Sequence, residues 1–93
     1  MRVILRFFGL LRLDLGRRDL SLDLPEGATV AEAIEEASRS LGPGLKERLL
    51  DAGRTQRGTI ILLNGQNILY LRGLETELKD GDQIDLFPPG AGG

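Results

Sequence analysis

The chain has 93 residues, 41% of them hydrophobic and 28% charged, with 12 basic side chains against 14 acidic ones and a formal charge of -2. That is ordinary globular composition with material for one small core, and its acidic balance argues against holding nucleic acid or an anionic membrane by bulk electrostatics. The chain has no Cys and no His, which removes thiol nucleophiles, disulfides, imidazole bases and the usual zinc ligands together.

Arg2 to Phe8 reads as a strand, with Val3, Leu5 and Phe7 on one face and Ile4, Arg6 and Phe8 on the other. A charge-rich loop containing Gly16 follows. Asp19 to Leu24 then alternates strictly, with Leu20, Leu22 and Leu24 facing inward, so the two strands are expected to form an N-terminal hairpin. Pro25-Glu26-Gly27 stops the strand, and Thr29-Val30-Ala31-Glu32 has the form of a capping box. The helix it opens carries Val30, Ala33, Ile34, Ala37 and Leu41 on one stripe and ends at Gly42-Pro43.

Leu45 to Ala52 predicts a short second helix, followed by a polar loop from Gly53 to Gly58 in which Arg54 and Arg57 are solvated. Thr59 to Leu63 is nearly all apolar and predicts a central strand covered on both faces, closed by the turn Asn64-Gly65. Gln66 to Leu78 is irregular and reads as a short strand with a turn or a single helical turn. Lys79-Asp80-Gly81-Asp82 is a second turn rather than a metal site, and no metal is expected. Gln83 onward supplies the last strand through Ile84 and Leu86, ended by Phe87-Pro88-Pro89. No stretch approaches the roughly 18 apolar residues of a membrane helix, and charge interrupts Met1 to Arg6 too early for a signal peptide, so the expected location is the cytoplasm.

This order of elements predicts an α+β chain with the β-grasp, or ubiquitin-like, architecture: a mixed sheet of four or five strands with one main helix across one face. The β-grasp domain is expected over residues 1–87 and a projecting tail over 88–93. Pro88 and Pro89 donate no backbone hydrogen bond, and six extended residues reach about 20 Å. Gly92 and Gly93 lack Cβ atoms and fit a narrow channel, while the terminal carboxylate is ionised at neutral pH and becomes an acyl donor only after activation. The chain has no phosphate loop, since Gly42-Pro43-Gly44 lacks the required pattern and Gly90-Ala91-Gly92-Gly93 precedes no helix. It reads as a substrate and carrier, not a catalyst, and binds no cofactor itself.

Four pieces in this order resemble a known family: Phe7-Phe8-Gly9-Leu10-Leu11-Arg12, Leu62-Leu63-Asn64-Gly65, Leu78-Lys79-Asp80-Gly81-Asp82 and Phe87-Pro88-Pro89-Gly90-Ala91-Gly92-Gly93. They are similar to the MoaD/ThiS-type sulfur carriers, most nearly to MoaD, the small subunit of molybdopterin synthase, and span essentially the whole chain. The resemblance implies that an E1-like enzyme of the MoeB type uses ATP to adenylate the terminal carboxylate. Sulfur from a persulfide then replaces AMP, and the thiocarboxylate on Gly93 serves a pterin precursor in the large subunit, MoaE. It also implies that Phe8, Phe87, Pro88, Pro89, Gly90, Ala91 and Gly92 meet these partners. Gly90 departs from the family, which usually has Val or another bulky residue there.

Ile4, Phe8 and Phe87 are expected on the sheet face away from the helix, as an apolar partner surface. The acids Glu75, Glu77, Asp80, Asp82 and Asp85, close in sequence to the tail, either steer a basic partner groove or form a solvated edge. Other readings are a modifier joined through Gly93 to substrate lysines, a sulfur donor for a thiazole or a transfer RNA, and a plain interaction module. Self-conjugation would have only Lys46, Lys79 and the N-terminus as acceptors.

Overall fold

In a computed structural model, which describes residues 1–90, the first strand β1 (Arg2–Phe7) alternates between exposed and buried positions, with Val3, Leu5 and Phe7 inside. The segment read as a charged loop is instead a helix, α1 (Gly9–Leu15), whose Leu11 is fully buried and whose Leu15 packs on the core, with Gly16 as its left-handed C-cap. Leu11 and Leu15 are one helical turn apart, and this four-residue spacing was the signal in the sequence. Strand β2 (Asp19–Asp23) pairs antiparallel with β1, placing Leu22 opposite Val3 and Leu20 opposite Leu5 on the inner face. The expected pairing is present, joined by a helix rather than a tight turn.

Helix α2 (Val30–Leu41) opens on the predicted capping box: the Thr29 hydroxyl accepts from the Glu32 backbone N–H, and the Glu32 carboxylate accepts from the Thr29 backbone N–H at 3.2 Å. Its stripe Val30, Ala33, Ile34 and Ala37 is buried. Helix α3 (Gly44–Leu49) buries Leu45 and Leu49 and leads into a small hairpin of β3 (Leu50–Asp51), where the helix was expected to continue to Ala52, and β4 (Arg54–Thr55), where a polar loop was expected. Strand β5 (Ile60–Leu63) pairs with β6 (Gln66–Asn67), and two single 3-10 turns, Ile68–Tyr70 and Gly73–Glu75, carry the chain to β7 (Gln83–Phe87).

The five-stranded sheet has the order β2-β1-β7-β5-β6, with β1 and β7 parallel and every other pair antiparallel. This is the mixed β-grasp sheet with a helix on one face. The buried middle is β7, not Thr59 to Leu63 as the apolar run suggested. Ile60 is 45% exposed and only Ile61 of β5 is buried, because β5 has its second face open and only the two-residue β6 beyond it. Among the described residues no helix is long and apolar enough to cross a membrane.

The capping box gives a measurable term. Thr29→Ala removes the hydroxyl that satisfies the Glu32 N–H and is expected to lower stability by about 1 kcal/mol with an unchanged denaturant slope, read by urea unfolding. Phe7→Ala, at a fully buried side chain of the same sheet, is expected to cost about 3–5 kcal/mol in the same assay.

Candidate functional site

The parallel register pairs Phe7 with Leu86, so β1 and β7 finish at the same end of the sheet and release Phe8 and Phe87 side by side on the outer face. Their rings stack with centroids 4.4 Å apart and planes 11° from parallel. Two guanidiniums lie over Phe8, that of Arg6 at 5.3 Å and that of Arg12 at 5.1 Å from the ring centroid. Aromatic stacking and cation–π attraction each add roughly 0.5–1.5 kcal/mol beyond simple burial in such settings. Arg12 is further held by donating from Nε to the Phe7 carbonyl at 2.9 Å. The exit of the tail is therefore built on a braced aromatic pair.

Beyond Phe87 the two prolines stay against the body. Both are half-buried, Pro88 beside Gly9 and Pro89 beside Gly58, where an added Cβ would stand 3.5 Å from the Pro89 Cβ. Gly9 and Gly58 both have positive φ, 59° and 89°, so at these two positions a side chain meets backbone strain as well as the prolines. Gly90 is exposed with open space around it. Ala91, Gly92 and Gly93, the last expected to bear the sulfur, lie outside the described residues.

The outer face around this exit has an apolar and an ionic part. Ile60 of β5 is paired with Phe87 and Leu62 with Asp85, while Ile4 occupies the same face of β1. The Asp85 carboxylate, largely buried, accepts from Arg6 Nε at 3.0 Å and from Gln83 Nε2 at 3.3 Å. The face predicted for Ile4, Phe8 and Phe87 thus exists, with an ion pair set into it that the sequence pattern did not announce. The signal was there in the matched positions of Arg6 and Asp85 on two outward faces. It becomes visible only when β1 and β7 are known to be neighbours.

Of the acids close to the tail in sequence, Asp85 lies beside the exit in its ion pair with Arg6, while Asp80, Asp82 and Glu77 lie elsewhere. Asp80 and Asp82 sit at the far end of β7, where Asp80 accepts from the Arg2 backbone N–H at 2.7 Å and Asp82 accepts from Lys79 N–H at 2.7 Å and from Asn64 Nδ2 at 2.9 Å. Glu77 bridges to Thr29 at the start of α2, again away from the exit. Asp80 and Asp82 hold a turn and Glu77 an edge, whereas Asp85 is buried in an ion pair. Among the described residues no group of His, Cys, Asp or Glu could hold a metal ion.

The displaced proton affinities also lie elsewhere. The hydrogen bond from Arg2, reinforced by its charge, holds the Asp23 carboxyl below the ordinary range and raises Arg2 in return, and the hydrogen bond and charge of Lys46 do the same to Glu35.

Similarity to known proteins now places the chain: it belongs to the ThiS family, whose model matches residues 5–93. Small archaeal modifier protein 3 of Haloferax volcanii is 33% identical over 93 residues, all of both chains, and the sulfur carrier protein CysO of Mycobacterium tuberculosis is 31% identical over 70 residues, 72% of this chain and 74% of that one. Among solved structures, a Pyrococcus furiosus protein provisionally assigned as molybdopterin converting factor, subunit 1, superposes with a TM-score of 0.76 at 31% identity, covering 96% of this chain and 98% of that one. The protein is a ubiquitin-like member of the family of small sulfur carriers and modifiers.

A double-mutant cycle on Phe8→Ala and Phe87→Ala, followed by urea unfolding, is expected to return a coupling of about 0.5–1.5 kcal/mol. Additive losses would show that the stack is only adjacency.

Proposed function

We propose that the protein carries sulfur on its C-terminal carboxylate for molybdopterin synthesis. In this reading an E1-like adenylating enzyme of the MoeB type uses ATP to convert the Gly93 carboxylate to an acyl-adenylate, releasing pyrophosphate. Sulfur from a donor replaces AMP, and the Gly93 thiocarboxylate delivers sulfur to a pterin precursor held by a large synthase subunit of the MoaE type. Gly93 is the reacting residue. Phe8, Phe87, Pro88, Pro89, Gly90, Ala91 and Gly92 are the contact surface, and the chain itself holds no cofactor. Residues 1–87 act as the β-grasp body, Pro88 and Pro89 lie against it rather than projecting from Phe87 as the sequence suggested, and the residues beyond them act as the delivered tail.

The observation that carries the reading is the exit itself. Stacked Phe8 and Phe87 and the two half-buried prolines fix where the backbone leaves the sheet, so the residues beyond are presented from a defined point. A reaction in another protein's channel needs such a base, because positional freedom at the exit is multiplied along the tail. The pterin as acceptor is supported by the motif resemblance to MoaD and by the likeness to the Pyrococcus furiosus converting factor. Incubation with the adenylating enzyme, ATP and sulfide is expected to raise the intact mass by the exchange of one oxygen for sulfur, localised to Gly93 by fragmentation. An unchanged mass with an enzyme active on its own carrier sinks the proposal.

A second reading is favoured by one observation, the full-length similarity to small archaeal modifier protein 3. Here a substrate lysine attacks activated Gly93 to form an isopeptide bond. Epitope-tagged protein in its native host would then give Gly93-linked conjugates that vanish when Gly92 and Gly93 are deleted. A conjugate pattern indifferent to that deletion rejects it.

A further inference from the structure

The two ends of β7 differ in charge. The turn before it contains Asp80 and Asp82, and the exit after it is flanked by arginines, with five residues at about 3.3 Å each, roughly 16 Å, between them. Beside the exit, Arg6, Phe8, Arg12, Arg18 and Asp19 line a pocket of about 450 Å³. Arg17 adjoins it, donating from Nε to the Asp19 carbonyl at 2.9 Å. Asp85 neutralises Arg6. Among the described residues no carboxylate forms an ion pair with Arg12, Arg17 or Arg18, so with Asp19 as the local acid the pocket keeps an excess of positive charge on a chain whose total is -2.

We infer that this arginine-lined pocket is a docking site for a carboxylate-bearing segment of the adenylating enzyme that receives the tail. The inference rests on the reading that the tail is delivered into a partner. Charge complementarity chooses the occupant: a planar guanidinium matches a carboxylate through two parallel hydrogen bonds, and a cluster of them selects an acidic surface while steering its approach. Arg12 is already held by the Phe7 carbonyl and the Phe8 ring, so it gives up little freedom on binding. Because Phe8 stacks on Phe87, an acid seated on Arg12 sits against the residue from which the tail departs. A nucleotide phosphate suits the same guanidiniums. In the proposed reaction, however, the phosphate meets Gly93, up to about 13 Å of extended chain beyond Pro89, and not the exit itself.

The test measures binding to the cognate adenylating enzyme, without nucleotide and again with ATP, over a salt series from about 0.05 to 0.5 M, a range in which screening removes exposed charge interactions. Arg17→Glu combined with Arg18→Glu, both exposed positions, is expected to weaken binding by about tenfold or more at low salt, mainly through the association rate, and to flatten the salt dependence. Arg12→Lys keeps the charge without the fork and should fall between that variant and the wild type, while Lys79→Glu at the opposite end should bind as the wild type does. Unchanged affinity and salt dependence in the doubly reversed protein overturns the inference. So does an arginine dependence that appears only when ATP is bound, which would assign the pocket to phosphate. Arginine-dependent binding by a wild-type protein that never acquires sulfur would instead refute the proposed function and leave the docking site standing.

Discussion

Parallel pairing of β1 with β7 is the constraint on which the other features depend. Adjacent parallel strands cannot be joined by a short turn, so everything between them must form the crossover: α1, β2, α2, α3, the small hairpin and the β5–β6 pair. The same pairing buries Leu5, Phe7, Ile84 and Leu86 at the centre of the core and makes both strands end together. From that one geometric fact come the neighbouring positions of Phe8 and Phe87, the meeting of Arg6 with Asp85, and the separation of the acidic turn from the exit.

The two faces of the sheet are used differently. The inner face is filled by α2 and α3 with ordinary aliphatic packing and only asks that shapes match. Among the described residues the outer face carries no helix. It holds an ion pair, a stacked aromatic pair and several half-covered aliphatic side chains, a mixture that suits a surface wetted in the free protein and covered in a complex. Leu69 and Tyr70, at 71% and 82% exposure, lie in the 3-10 turn after β6, and nothing in the structure explains why they are apolar.

Membership of the ThiS family goes with likeness to both a modifier and a sulfur carrier, and under the proposed function these two differ in the nucleophile or acceptor that meets the activated carboxylate. That choice belongs to the partner more than to this chain. A body with one fixed exit can serve either outcome.

Much of the fold was legible because its signals are local. Alternation in Asp19 to Leu24, the capping box at Thr29 and Glu32, and the stripe from Val30 to Ala37 each depend on residues within a few positions of one another, and all are present as expected. Helix α1 was obscured by the charges of Arg12, Asp14, Arg17 and Arg18, although Leu11 and Leu15 kept helical spacing. The centre of the sheet was misplaced to β5 because hydrophobicity reports how apolar a strand is, not how many neighbours it has. By itself the sequence determined the chemistry that is absent, the strands' inner faces and the long helix. Only tertiary structure decided that Phe8 meets Phe87 and Arg6 meets Asp85, 79 residues apart in each case, and that Arg12 and Arg18 lie beside the exit while Asp80 and Asp82 lie at the other end of β7. The reason is physical: strand order and register are set by a sheet that must close over one core, and no short stretch of chain contains that information.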